Sequence, residues 1–153
     1  MKKYGLSILA ILLVFAYSSC TGDTVVFDNV NGQEAIQFTE KSFNITVPPA
    51  GITATLPVSV TTLSTTDRTF EAVADETSTG PAASYSIGSA TIPAGSYEGT
   101  LKVDLKTTTL KDGIAYSLLV KLVAPVGGAA FNEVATIKYN KKVVCNDVVL
   151  TVV

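Results

Sequence analysis

From Phe38 onward, apolar side chains recur at every second position, in short runs that proline, glycine and small polar residues interrupt. Alternation of this kind turns one face of an extended chain inward and the other toward water, so it specifies strands. Phe43, Ile45 and Val47 alternate with Asn44 and Thr46 until Pro48-Pro49-Ala50-Gly51 ends the run. Leu56, Val58 and Val60 alternate with Thr55, Ser59 and Thr61 across Pro57. Proline has no N–H to give a ladder, which predicts an edge strand or a bulge there. Phe70, Ala72 and Ala74 begin a third strand with Glu71 outward, and Asp75 to Ala83 reads as a loop. Tyr85 and Ile87, then Ala90 to Gly95, lead through a tight turn into Leu101, Val103 and Leu105, the most regularly amphipathic run. Tyr116 to Val123 is apolar on both faces, as a central strand would be, and a Pro/Gly loop from Ala124 to Phe131 precedes a strand around Val134 to Tyr139. A final apolar stretch runs from Val143 to Val153. About seven to nine short strands with turn signals roughly every ten residues predict an all-β fold, a two-sheet antiparallel sandwich.

The first twenty residues have a different character. Lys2 and Lys3 precede an uncharged run from Leu6 to Ala16, and Tyr17-Ser18-Ser19-Cys20 follows. A basic start, a short apolar segment and small residues before a cut make an export signal. As a helix the apolar run covers roughly 16 Å, against about 30 Å of bilayer hydrocarbon, so it does not span. Ser18-Ser19-Cys20 resembles the bacterial lipobox, in which the chain is cut before the cysteine, its sulfur carries a diacylglycerol and its new amino group is acylated. That resemblance makes Cys20 the lipidation site and places the protein on a cell envelope, at the outer membrane on its periplasmic or surface face. The alternative is an ordinary secretory signal with a cysteine near its end. Residues 1–19 are then the signal helix, 20–37 a flexible tether broken by Gly22, Asp23, Asn29 and Gly32, and 38–153 the sandwich domain.

Charge and composition remove most chemistries. The whole chain carries a formal net charge of −2, and cleavage takes Lys2 and Lys3 with no acid, so no basic stripe exists for nucleic acid. There is no histidine, which removes Ser-His-Asp and Cys-His catalysis, histidine metal sites and the usual base near neutral pH. Paired carboxylates could still hydrolyse a glycoside. Asp75-Glu76 is the only adjacent acidic pair, in a loop that reads as solvated, so no enzyme and no cofactor are expected. With Cys20 acylated, Cys145 lacks a partner in the chain; it reads as a small apolar residue of a late strand, with an intermolecular disulfide as the other possibility.

Binding fits the composition better. Tyr85, Tyr97, Tyr116 and Tyr139 could stack on a sugar, although tyrosines also simply cover sheets, and tryptophan is absent. The Asp75–Pro81 and Pro125–Phe131 loops are the expected contact surfaces, with no ligand-binding residue assigned. Asn44-Ile45-Thr46 matches an N-glycan acceptor by chance on a strand. Asp23-Thr24-Val25 resembles the Asp-Thr-aliphatic acceptor of exported Bacteroidota proteins, which makes Thr24 a candidate O-glycosylation site.

Several of these runs together resemble a family. Ser42 to Val47, Leu56-Pro57-Val58-Ser59-Val60, Tyr85-Ser86-Ile87, Ile92-Pro93-Ala94-Gly95, Leu101-Lys102-Val103 and Tyr116 to Leu122 are similar to the Calx-beta-like, immunoglobulin-like sandwich at the start of uncharacterised Bacteroidota-type surface lipoproteins. The match runs from about residue 38 to 144, and its motifs are turns and packing positions. Calx-beta domains hold calcium through clustered carboxylates, but after Val103 this chain has only Asp104 and Asp112 with lysines between, so no metal site is expected. The anchor, the tether and the catalytically bare domain predict an anchored, non-catalytic binding or spacer module whose partners are the membrane and a glycan or envelope protein. The alternative is a structural subunit that adds Val143 to Val153 to a neighbour's sheet edge.

Overall fold

The computed structural model describes residues 28–143; the signal segment, Cys20, Thr24, Cys145 and residues 144–153 lie outside them. Ten strands follow the alternating runs: β1 (Ala35–Phe38), β2 (Ser42–Val47), β3 (Ile52–Val60), β4 (Arg68–Phe70), β5 (Ala72–Ala74), β6 (Tyr85–Ile92), β7 (Glu98–Leu105), β8 (Ala115–Leu122), β9 (Ala129–Phe131) and β10 (Val134–Lys141). They form two sheets, a six-stranded one in the order β4-β6-β7-β3-β1-β9 and a four-stranded one in the order β2-β10-β8-β5. The inward residues of both, among them Ile36, Leu56, Leu101, Leu118 and Ile137, make one buried core. Each such aliphatic side chain contributes about 1.5–3 kcal/mol by leaving water. No helix among the described residues is long and apolar enough to cross a membrane.

Four details depart from the sequence reading, each for a local reason. Ala35–Gln37, read as the end of the tether, belong to β1: Ile36 pairs with Val60, and Ala35 and Ile36 are buried. The polar residues around them hid a strand of only four residues. The expected third strand breaks at Glu71, where β4 pairs with β6 in one sheet and β5 with β8 in the other. The N-terminal run divides in the same way, so β1 and β2 lie in different sheets and pair in parallel with β9 and β10, while the remaining pairings are antiparallel. Pro57, finally, lies on an internal strand. Thr61 N–H points to β1 and Val60 N–H to β7, so by alternation the donor missing at Pro57 is on the β1 side. There β1 has just ended, and Thr39 N–H donates to the Pro57 carbonyl at 3.2 Å as the chain leaves. The proline therefore removes nothing that the ladder uses.

The central position expected for β8 is found, between β10 and β5. The loop after β5 stays on its edge: Ser78 Oγ accepts from Leu119 N–H at 3.0 Å and Thr79 Oγ1 from Ser117 N–H at 2.9 Å. A short 3₁₀ turn, Ala82–Ser84, then delivers the chain to β6.

The registers give the domain two poles. At the entry pole, residues 28–34 meet the 61–67 and 93–97 turns and the 123–128 loop, tied by Leu63 N–H to Asn29 O at 2.7 Å, Gly95 N–H to Ser64 O at 2.8 Å and Ala129 N–H to Glu34 O at 2.9 Å. At the exit pole the 48–51, 75–84 and 106–114 loops surround the departing chain, where Lys142 N–H donates to Val47 O at 2.8 Å and Lys141 Nζ pairs with Asp112 at 2.8 Å.

Candidate functional site

The four tyrosines are not assembled into a sugar platform. Tyr139 is 1% exposed, its Oη 2.7 Å from Ser84 Oγ. Ser84 donates in turn to the Pro81 carbonyl at 2.7 Å, which leaves the phenol as donor in this chain of bonds. Burial pushes the Tyr139 phenol above its ordinary value. Tyr116 stacks at a tilt beside it, with ring centroids 5.8 Å apart, and like Tyr85 packs against the core. Tyr97 alone is exposed, and its Oη accepts from Asn29 Nδ2 at 3.1 Å.

The acidic candidates are likewise occupied. Asp75 accepts from the Thr77 hydroxyl at 2.6 Å and the Thr77 N–H at 2.9 Å, bonds that hold its carboxyl below the usual range, while Glu76 is exposed. This pair folds a turn and faces no second wall. Asp104 accepts from Thr53 Oγ1 at 2.5 Å, and Asp112 pairs with Lys141. Among the described residues no three His, Cys, Asp or Glu side chains gather where they could hold a metal ion.

What the fold does present is a cleft of about 960 Å³ on the outer face of β6, β7 and β3. Its walls include Pro57, Ser89, Thr91, Glu98, Thr100 and Lys102, and none of the tyrosines lines it. Pairing explains the arrangement. Pro57 lies opposite Thr100, Thr100 opposite Thr91, and the register slips between Ile87 and Ala90. A bulge of this kind bends a strand and re-aims its side chains. Gly88 lies in the irregular stretch, where a Cβ would come within 3.1 Å of the Lys102 carbonyl. Hydroxyls flanked by one amine and one carboxylate offer donors and acceptors without a reactive group. The sequence signal was present in retrospect, in the Gly88-Ser89 break and the outward Thr91, Thr100 and Lys102.

A second depression crosses the entry pole. Two hollows of about 930 and 410 Å³ share Glu34 and Arg68 as a common floor. Arg68 forms an ion pair with Glu34 and donates to the Thr62 hydroxyl at 3.1 Å and carbonyl at 2.7 Å, with its side chain 14% exposed. Of the two loops expected to make contacts, the 125–131 loop lines this trough through Pro125 and Val126, and its last three residues form β9. The Asp75–Pro81 loop instead shields the β8 edge, and Gly80 backs onto Tyr139.

The entry segment is itself held by Asp28, whose carboxylate accepts from the Val30 N–H at 2.8 Å, the Asn31 N–H at 2.9 Å and the Asn31 amide at 3.0 Å. The backbone bond from Asn31, then that from Val30, lowers its pKa below 3.8. A depressed carboxylate contributes stability above its ordinary value and loses it as pH falls through the depressed one. A carbon-detected titration is expected to place the Asp28 midpoint below 3.8 with the Asn31 amide shift following it; a midpoint at or above that value contradicts the turn.

Against known proteins, no family model and no curated protein matches the sequence. Solved structures do match in fold. A Bacteroides ovatus protein provisionally assigned to carbohydrate binding aligns with a TM-score of 0.56 at 14% identity, over 71% of this chain and 37% of its own. The apo form of the Calx CBD1 domain aligns with a TM-score of 0.55 at 12% identity, over 72% of this chain and 98% of its own. A two-domain Bacteroides fragilis protein of unknown function gives 0.52 at 12%, over 72% and 46%. The fold is a Calx-beta-like sandwich, of the kind also found in Bacteroides proteins. The chain spans less than half the length of those two Bacteroides proteins and nearly all of CBD1.

Proposed function

We propose that this chain is a non-catalytic binding or spacer module of a bacterial cell envelope, held at the outer membrane by acyl chains on Cys20 and offering its sheet cleft to a glycan or an envelope protein. The observation that carries this reading is the opposition of the two poles: the chain enters beside Asn29 and leaves beside Val47. Strands of eight residues such as β6, β7 and β8 separate the poles by about 26 Å. A bead entered at one end and left at the other lifts whatever lies beyond it off a surface, and it leaves the flank with the cleft clear. The likeness to the B. ovatus protein supports a glycan as the ligand, and the absence of histidine with an occupied Asp75 supports binding without turnover.

Two measurements test the reading. In cells, Cys20→Ala is expected to move the protein from the membrane fraction to the soluble one and to abolish lipid labelling; an unchanged, labelled membrane protein refutes anchoring at that sulfur. On a glycan array, the acyl-free chain is expected to give hits that Thr100→Lys, which fills the cleft, removes. Hits that survive it move the site elsewhere, and release of sugar or peptide fragments replaces binding with catalysis.

One observation favours the structural-subunit alternative: among the described residues β2 is an edge strand paired only with β10. It could accept a strand from residues 143–153 of a neighbour. Concentration-dependent oligomers that vanish on deletion of residues 146–153 would establish that assembly, and a stable monomer would dismiss it.

A further inference from the structure

We infer that the entry pole is a membrane-contact surface, on which the domain stands against zwitterionic lipid with its exit pole pointing away. The inference rests on the proposed acyl anchor at Cys20. Only seven residues, 21–27, separate that cysteine from Asp28. Fully extended they reach about 25 Å, roughly the height of the domain itself, so an inverted domain would need the linker stretched to its limit. The entry pole is therefore the part of the domain held nearest the headgroups.

Its surface chemistry agrees. Val126 at the tip of the 125–128 turn and Val30 at the tip of the Asp28 turn are, among the described residues, the two most exposed large apolar side chains, at 108% and 61%. They rim the two hollows that share Glu34 and Arg68, so they belong to one continuous depression. Val123 is exposed on the same rim. Tyr97, held to this pole by Asn29, adds a ring with an apolar body and a polar tip, the type that favours membrane interfaces. Four side chains of this sort, scattered over three turns and a strand end, are a poor nucleus for a folded core. They suit a soft, shallow apolar surface.

The charges select the kind of lipid. Arg68 is consumed by Glu34, and nearby Lys121 by Glu133 at 3.2 Å. Asp28 and Asp67 are bound into turns, the latter accepting from Ala94 N–H at 2.8 Å, and Glu71 is exposed. The described loops of this pole thus offer no unpaired cation to anionic headgroups, exposed Lys41 standing outside them just before β2, and the contact is apolar in origin. Such a contact is too small to recruit the free domain, but the anchor holds it at high local concentration, where a weak surface suffices.

The test uses the acylated full chain in phosphatidylethanolamine vesicles, in a Cys145→Ser background. A fluorophore is attached through Val126→Cys at the entry pole or Ile114→Cys at the exit pole, and quenched by nitroxide-headgroup lipid. Quenching is expected to be several-fold greater at position 126 than at 114, unchanged by added phosphatidylglycerol, and reduced toward the exit-pole level by Val30→Asp while the protein still sediments with vesicles. Equal quenching at both positions in sedimenting protein overturns the contact and leaves the anchor standing. Protein that no longer sediments with vesicles overturns the anchor and the contact together.

Discussion

Tyr139→Ala is expected to lower the stability of the domain by about 4 kcal/mol, close to the upper range for truncating a large buried aromatic. Tyr139→Phe is expected to cost about 1 kcal/mol, the worth of one neutral hydrogen bond. The contrast follows from where the ring and the hydroxyl do their work. The ring fills the space between the sheets and leans on Tyr116, so its loss opens a cavity lined by groups that are fixed in strands. The hydroxyl binds Ser84, but Ser84 keeps its bond to the Pro81 carbonyl when the phenol is gone, so no buried donor is orphaned. Gly80 is the third member of this corner: a Cβ there would lie 1.9 Å from the Tyr139 hydroxyl. Gly80→Ala is therefore damaging in the native background and should be partly rescued by Tyr139→Phe, which removes the nearest atom. Urea unfolding of the four proteins measures this coupling. Additive losses would show that the 75–84 loop does not rest on the tyrosine.

The alternation that makes β2, β3 and β7 legible is the direct image of a half-buried sheet, because each outward residue meets water and each inward one meets the core. The same rule fails where the chain changes sheets. Between Phe70 and Ala72 the alternation runs on unbroken, yet the pairing partner changes from β6 to β8. Periodicity reports which face is buried and carries no information about the neighbour. β1 is hidden for a related reason: four residues preceded by asparagine, glycine and glutamine are too few to show a period, and it is the pairing with β3 and β9 that makes them a strand.

The candidate surfaces were less legible than the fold. Tyrosines are natural candidates for sugar contact by residue type, but whether a tyrosine points inward on β10 or outward just before β7 depends on register, which a lone aromatic does not reveal. The cleft comes from a bulge between Ile87 and Ala90, from threonines on the adjacent strands β6 and β7 and from Pro57 on β3, residues that are individually common and scattered along the chain. The Glu34–Arg68 pair joins two segments whose spacing has no sequence signature. By contrast the Pro93-Ala94-Gly95-Ser96 turn was readable, since Ser96 N–H closes on the Pro93 carbonyl and Gly95 takes the positive φ of +71° that the motif requires.

Gly99→Ala is expected to cost about 3 kcal/mol, at the high end for overpacking a filled site. A methyl group there would lie 2.0 Å from the Thr91 carbonyl oxygen and 2.6 Å from the Ile92 side chain. The first of these atoms is backbone in a paired strand, so relief requires β6 to move away from β7. Gly95→Ala is the informative control. Its Cβ would meet nothing within 4 Å, and only the positive φ opposes it, at about 1 kcal/mol. The ordering Gly99 above Gly95, read from denaturant midpoints, separates close approach from backbone strain; equal losses would mean that the two strands are not so tightly apposed. The consequence reaches the cleft, because Thr91 and Thr100 sit opposite one another on these strands and form part of its wall. Forcing β6 outward moves one threonine relative to the other. Gly99→Ala should therefore weaken any ligand held in the cleft even under conditions where the domain stays folded, whereas Gly95→Ala should leave binding unchanged.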